Sequence, residues 1–363
     1  MAIHNVKDFT FSAEAEKSLI PAWKDYVTNY RALNFSTKKP YSQAKTLEEK
    51  EMIVNAAIAK EVDKLAGVNT SVVDKAAYAT NPVYRWANNA VINKLVDTVV
   101  PDILTEDFLN VAEVVQIGYG DSAEFDIKSS DLFYVSKTGN SRRHVEAQRQ
   151  FTGHTSIPVS NHVITTETDM YRVLAGKESP AEYAMKVVLS IEAEIAKDIM
   201  AAITSSFSTL TAHFKESAYD EKAFQKLATR VTAANGGARA VAMGTDLALS
   251  TVLPSNEYLK MGLGEDYTKV GYLPVFKKVP LIGLSQKIDW TSEDYGFALP
   301  DNYIYFISPG APKLVKIVIE GGSLSFSDDY ASNGNLTQVS SLHKRFGVGL
   351  VTNSKFAIMK VTI

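Results

Sequence analysis

Few of the side chains that could do chemistry stand at spacings that chemistry needs. Ile117-Gly118-Tyr119-Gly120-Asp121-Ser122-Ala123 carries two glycines of a dinucleotide-binding fingerprint but lacks the third, and no helical pattern follows it. It reads instead as a hairpin turn between the β-like runs 111–117 and 123–127. His144, His154 and His162 are separated by ten and eight residues, a spacing that does not gather ligands on one helix face, so they make a poor metal set. Glu192 and Glu194 are two apart on a predicted helix, point to different faces, and cannot act as a carboxylate dyad. Asp328-Asp329 with Tyr330 and Asn333-Gly334-Asn335 has a calcium-like composition without EF-hand spacing, and reads as a polar turn. No Walker A run, GxSxG elbow or HExxH occurs. Cysteine is absent, which excludes disulfides, thiolate metal sites and cysteine nucleophiles. No catalytic, cofactor-binding or metal residue is therefore assigned, and an enzyme is the minority expectation.

Composition narrows the classes further. At 363 residues the chain has room for about two domains. Hydrophobic residues make up 45%, enough for a real core, and no apolar run approaches the roughly 20 residues that span a bilayer. Met1-Ala2-Ile3-His4-Asn5 lacks the regions of a secretory signal. A net charge of −3 and a pI near 6.1 argue against a sequence-specific DNA binder. Basic residues come only in pairs, Lys38-Lys39, Arg142-Arg143, Lys277-Lys278 and Lys344-Arg345, each read as solvated surface.

The elements that would position any site are clearest between Glu113 and Phe207. Ala123-Glu124-Phe125-Asp126-Ile127 alternates with period two, as a half-buried strand does. Leu132-Phe133-Tyr134-Val135 forms a third β-like run, then a polar tip from Ser136 to Arg143 leads back through His144–Phe151 and Thr155–Val159. Ser179-Pro180-Ala181-Glu182 has the form of a capping box with proline at the first helical position. Ala181, Ala184, Val188, Ile191, Ile195 and Ile199 then make one apolar stripe. That predicts a helix from Pro180 to about Ser206, roughly 40 Å long, with Glu182, Glu192, Glu194 and Asp198 on the solvent side. An extended arm beside such a helix buries little within its own chain, which suits a subunit reaching over neighbours.

Residues 1 to about 110 read as helical: Ser12–Leu33, a helix from a Thr46-Leu47-Glu48-Glu49 capping box to about Leu65 with Gly67 as its stop, and Val83–Val99 ended by Pro101. Their long polar links suggest an arm laid over other subunits, or else a small helical domain. From Tyr219 the pattern becomes α/β. It predicts a helix Lys222–Ala234 ended by Asn235-Gly236-Gly237, a strand to Met243, and a short helix capped by Asp246. Strands follow at Leu281–Leu284, Asn302–Ile307 and Leu314–Ile319, then Gln338–Phe346, a turn at Gly347–Gly349, and a strand Phe356–Val361.

The order of these parts resembles the major capsid proteins of tailed double-stranded DNA bacteriophages, the Hong Kong 97-type fold, from about Pro82 to Ile363. The resemblance rests on Val99-Val100-Pro101, the extended loop Glu113–Val163, the long helix after Ser179, and Asn235-Gly236-Gly237. Gly271–Phe276 before Val279-Pro280, Lys344–Val348 and Phe356–Val361 continue it in order. It implies an α+β fold with a helical N-terminal arm (1–110), an extended β-hairpin loop (111–175), a peripheral domain on the spine helix (176–234 and 313–363) and an axial domain (235–312). The implied function is self-assembly, through hexamers and pentamers, into an icosahedral shell. That shell would enclose double-stranded DNA in the virion, contact the DNA non-specifically, and be built in the host cytoplasm. Scaffolding, portal and decoration proteins are the implied partners, and no membrane is involved. Some members cross-link a loop lysine to a neighbour's asparagine, which singles out Lys137 and Asn353; non-covalent shells are the simpler expectation. Lys137, Arg142 and Arg143 would contact acids of a neighbour. With the sequence opening at Met1, a separate scaffolding protein is expected rather than a cleaved leading segment. An encapsulin-type cargo shell and a soluble α/β enzyme or binding protein are the alternatives.

Overall fold

The computed structural model describes residues 10–34, 45–67, 81–107, 111–128, 132–137, 147–149, 152–256, 264–290, 294–309, 312–328, 334, 336–351 and 355–363. Three helices lead: α1 (Ala13–Asn34), α2 (Leu47–Ala66) and α3 (Pro82–Asp107). Both halves of the Thr46–Glu49 capping box form, and Gly67 ends α2 at φ 64°, a conformation glycine adopts without steric cost. Helix α3 does not stop at Pro101 as expected. Proline costs the helix a hydrogen bond, yet the turns around and after it bury Val99, Val100, Ile103 and Leu104, and that packing outweighs the break.

These helices do not lie loose. Leu19, Trp23, Tyr26, Val54 and Ile58 are buried in one core with Val91, Leu95 and the long helix α5 (Pro180–Ser205). The Trp23 indole donates to the Leu95 carbonyl at 3.1 Å. An arm reaching over other subunits would leave those side chains wet; here the chain itself covers them.

All six residues of the expected α5 stripe are buried, and so are Met185, Val187, Ala196, Met200 and Ile203, so the helix is covered on far more than one stripe. Its cap differs from the expected box. Ser179 accepts the Glu182 N–H at 3.2 Å, but the second capping side chain is Asn55 of α2 rather than Glu182. The Asn55 amide donates to the Ser179 hydroxyl at 3.0 Å and its carbonyl takes the Ala181 N–H at 2.9 Å. Glu182 turns to Lys186 at 2.7 Å instead. Glu192, expected in solvent, is buried: Arg31 reaches it from α1 at 3.5 Å, and Lys287 reaches it from the other side.

One sheet has the order β1 (Ala112–Ile117), β10 (Val315–Ser327), β11 (Thr337–Leu350), β4 (Ser160–Asp169). Strand β1 runs parallel to β10 and the other pairings are antiparallel. The glycine-rich segment after β1 therefore closes no hairpin. Strand β2 (Glu124–Lys128) leaves for β3 (Thr152–Ser156), forming a separate two-stranded ribbon. Local turn chemistry cannot tell which partner a strand will take. Gly347 and Gly349 also form no turn, because β11 runs straight through them. A Cβ on Gly349 would lie 2.7 Å from Ile157, and one on Gly347 would strike the Pro158 carbonyl, so these glycines permit close approach of the ribbon's exit strand.

The second sheet has the order β5 (Lys215–Glu216), β12 (Ala357–Lys360), β9 (Tyr303–Ile307), β6 (Val241–Thr245), β8 (Val279–Leu284), β7 (Val275–Phe276). It builds its own core with α6 (Glu221–Ala234), through Phe224, Leu227, Val231, Phe306 and Met359. Thus α6 and β12, expected with the spine helix, join this sheet; Phe224 stacks edge-on against Phe276 and Phe306 there. The helix α7 (Asp246–Ser250) is capped by Thr245, whose hydroxyl accepts the Ala248 N–H at 3.3 Å, and not by Asp246. Two short helices, α4 (Met170–Leu174) and α8 (Gly264–Val270), complete the described elements.

Candidate functional site

The ribbon β2–β3 and the segment beyond it are mostly exposed. At its base Ala123 and Ile157 pack with Val318 and Val351 in a small core of their own. Lys316 sits over the Phe125 ring at 5.7 Å and pairs with Glu113. Further out, His154 Nδ1 meets Asp126 at 2.7 Å across the two strands. Beyond the strands, the Gln148 amide clamps the two limbs: it takes the Tyr134 N–H at 2.8 Å and donates to the Tyr134 carbonyl at 2.7 Å.

That clamp holds an apolar run in open solvent. Leu132, Phe133, Tyr134 and Val135 are 95%, 59%, 56% and 94% exposed. The run, expected as a strand, pairs with no described strand, and Gln148 holds it at Tyr134. Four consecutive exposed apolar residues are costly in water and mark a contact surface. Lys137 follows them and is exposed. Arg142, Arg143 and Asn353, the other expected contact residues, lie outside the described residues, as does His144.

The remaining sequence candidates have structural tasks. His162 stacks on Phe346 with ring centroids 3.7 Å apart, far from a shared site with His154, and the described residues contain no cluster that could hold a metal ion. Asp328 takes the Val339 N–H at 2.7 Å and so closes the β10–β11 hairpin. Of the basic pairs, Lys344 departs from the reading as solvated surface, being buried against Asp97 at 2.5 Å. Arg345, Lys277 and Lys278 are exposed as expected, with Arg345 meeting Glu320 at 3.2 Å and Lys277 meeting Glu221 at 2.7 Å. The Lys277 ammonium and the Ser255 hydroxyl and N–H pull the Glu221 carboxyl down to about 2. Lys38-Lys39 lie outside the described residues.

A polar ladder between α3 and β10 escaped the sequence reading. Asn89 meets Ser327 at 3.2 Å, Asn93 meets Ser325 at 2.5 Å, and Asp97 takes the Ser323 hydroxyl at 2.6 Å. Four residues of helix rise about 6 Å and two of strand about 6.6 Å, so spacings of four and two stay in step. The signal was present as Asn-x3-Asn-x3-Asp against Ser-x-Ser-x-Ser, but only pairing the two segments reveals it. The ladder fixes α3 to the sheet whose other face carries the ribbon.

Over residues 31–360 the chain matches the protein family described as SPbeta prophage-derived putative capsid protein YonB. The chain belongs to this family. Among solved structures, the chain is similar to phage capsids. The mature capsid of bacteriophage PhiM1 is 11% identical with a TM-score of 0.46, over 70% of this chain and 86% of that one. The head of Helicobacter pylori bacteriophage KHP40 is 13% identical at 0.46, over 70% and 89%. The Mycobacterium phage Bobi chain is 10% identical at 0.43, over 71% and 90%. No curated protein matches the chain. In this capsid family member no described helix is long and apolar enough to cross a membrane.

Proposed function

We propose that this protein is the major capsid subunit of a tailed bacteriophage and self-assembles, through hexamers and pentamers, into the icosahedral shell around double-stranded DNA. The observation that carries the reading is the exposed run Leu132–Val135 on a clamped ribbon, in a chain of a capsid family. Among the described residues that run is left largely exposed; in a shell a neighbour would cover it. In this reading the four-stranded sheet and α5 form the peripheral part of a Hong Kong 97-type subunit. The six-stranded sheet with α6 and β12 forms the axial part. The ribbon is the intersubunit loop, with Lys137, Arg142 and Arg143 as ionic contacts and Asn353 as the candidate partner for a Lys137 cross-link. Exposed ion pairs contribute only about 0–1 kcal/mol each, so apolar contact should dominate. Scaffolding and portal proteins are the expected partners, with assembly in the host cytoplasm.

The test is expression of the chain, alone and with a phage-encoded scaffold, followed by negative-stain electron microscopy. Hollow particles or capsomer rings are expected. A monodisperse monomer under both conditions would overturn the reading. Deleting Ser136 to Arg143 should leave a folded subunit that assembles poorly; normal shells from that deletion would remove the ribbon's role.

A further inference from the structure

A second exposed apolar surface lies on the other side of the sheet–helix layer. Between β8 and β9 the chain forms a hairpin: Asp289 donates to the Gly296 carbonyl at 2.8 Å, Ala298 donates to the Lys287 carbonyl at 2.7 Å, and Ile288 pairs with Phe297. Side chains alternate across such a ribbon, and here the two faces differ sharply. Lys287 and Asp289 point to α5, where Lys287 meets buried Glu192 and Asp289 meets Lys197 at 3.0 Å. Ile288, Trp290, Tyr295 and Phe297 share the opposite face, 39–73% exposed, with Trp290 and Tyr295 edge-to-face at 5.9 Å. Tyr295 holds φ at 50°, a left-handed conformation that costs a tyrosine energy and turns its ring to the aromatic face.

We propose that this aromatic face receives the Leu132–Lys137 run of a second copy of the chain. The inference rests on the shell-forming function proposed above and names the surface on which one subunit holds the next. Three observations favour this occupant. The hairpin is clamped at its polar face, so its aromatic face is presented rigidly, and Trp and Tyr are the side chains that dominate interface energetics. The run 132–135 is the matching element: apolar, extended, and narrow enough to lie along a two-stranded ribbon. Charge agrees, since Lys137 ends the run and is exposed, while Asp294 is exposed at the end of the hairpin. One chain cannot make the contact with itself. Its ribbon packs on Val318 and Val351 at one face of the four-stranded sheet, whereas the hairpin is clamped to α5, which packs with Ile317 and Ile319 at the other. Two different patches joining copy to copy make a heterologous contact, the type that closes into rings.

The chain's lack of cysteine makes the test direct. Val135→Cys and Phe297→Cys chains are mixed, assembled and oxidised, then run on a denaturing gel. A disulfide-linked dimer is expected from the mixture and from neither variant alone. The double variant should give a ladder ending at the closed ring. Assembled particles without a mixed dimer, or a dimer from Phe297→Cys alone, would overturn the pairing. Independently, Trp290→Ser with Phe297→Ser should raise the concentration needed for assembly at least tenfold with unchanged melting temperature. An unchanged assembly threshold would also defeat it. Failure of the wild-type chain to form particles under any condition would defeat the proposed function, and this inference with it. Wild-type particles without the cross-link would defeat this inference alone.

Discussion

In α5, Ile195 and Ile199 are fully removed from water; earlier in the chain, Leu132 and Val135 are almost fully in it. Both segments carry runs of large apolar side chains, so composition does not separate them. Partners do. Helix α5 meets helices and a sheet of its own chain, while among the described residues the 132–135 run is held through Gln148 and left mostly exposed. Burial that a chain completes for itself stabilises the subunit. Burial left incomplete is available to a second molecule. The difference teaches that stability and assembly are separable here, and each can be altered alone.

The largest test of that separation is Ile195→Ala, expected to cost about 2–5 kcal/mol because Ile195 is fully buried and its removal leaves a cavity. Leu132→Ala and Val135→Ala should shift stability by about 0.5 kcal/mol or less while weakening assembly. Thermal melting with light scattering reads both, and equal melting shifts at the two places would break the comparison. Next is Glu192→Gln, expected to cost about 3 kcal/mol, since two cations would lose a buried counter-charge. Adding Arg31→Met should recover part of that loss in urea unfolding; no recovery would mean the charges are not coupled. Third, Gly347→Ala should cost about 1–3 kcal/mol by pushing β11 away from Pro158. It should also speed protease cleavage between the ribbon limbs, and unchanged cleavage would detach the ribbon base from that glycine.

The smallest effect lies away from both regions. The Glu221 carboxyl is held at about 2, below its ordinary 4.5. A lowered carboxylate adds stability above pH 4.5 and loses it as pH falls toward 2. Glu221→Gln should therefore melt lower than wild type at pH 6, and the two should converge near pH 2. A constant gap across that range would show that the ion pair with Lys277 is not the cause.

Much of the helical structure was legible. Capping at Thr46 and Ser179, the left-handed stop at Gly67 and the α5 stripe all depend on residues within a few positions of one another. Misreadings came where a distant segment decided the outcome. Asn55 replaced Glu182 at the α5 cap, Arg31 and Lys287 drew Glu192 inward, and packing carried α3 past Pro101. Gly347 and Gly349 were misread because a turn and a close approach both require a missing Cβ, and only the neighbour tells them apart, whereas Gly118–Gly120 do turn but close no hairpin. Of the proposed contact residues, Lys137 is exposed, while the hairpin face of Trp290 and Phe297 went unseen because its alternation is broken by the turn between the strands.

By itself the sequence determined the local elements, the absence of cysteine chemistry and the family order of the parts, because helix caps, periodicity and turn residues act over short range. The tertiary structure decided which strands pair, which charges are buried, and which apolar runs the chain leaves for another molecule. Those outcomes depend on contacts between residues tens to hundreds of positions apart, and such contacts leave no periodic mark on either partner alone.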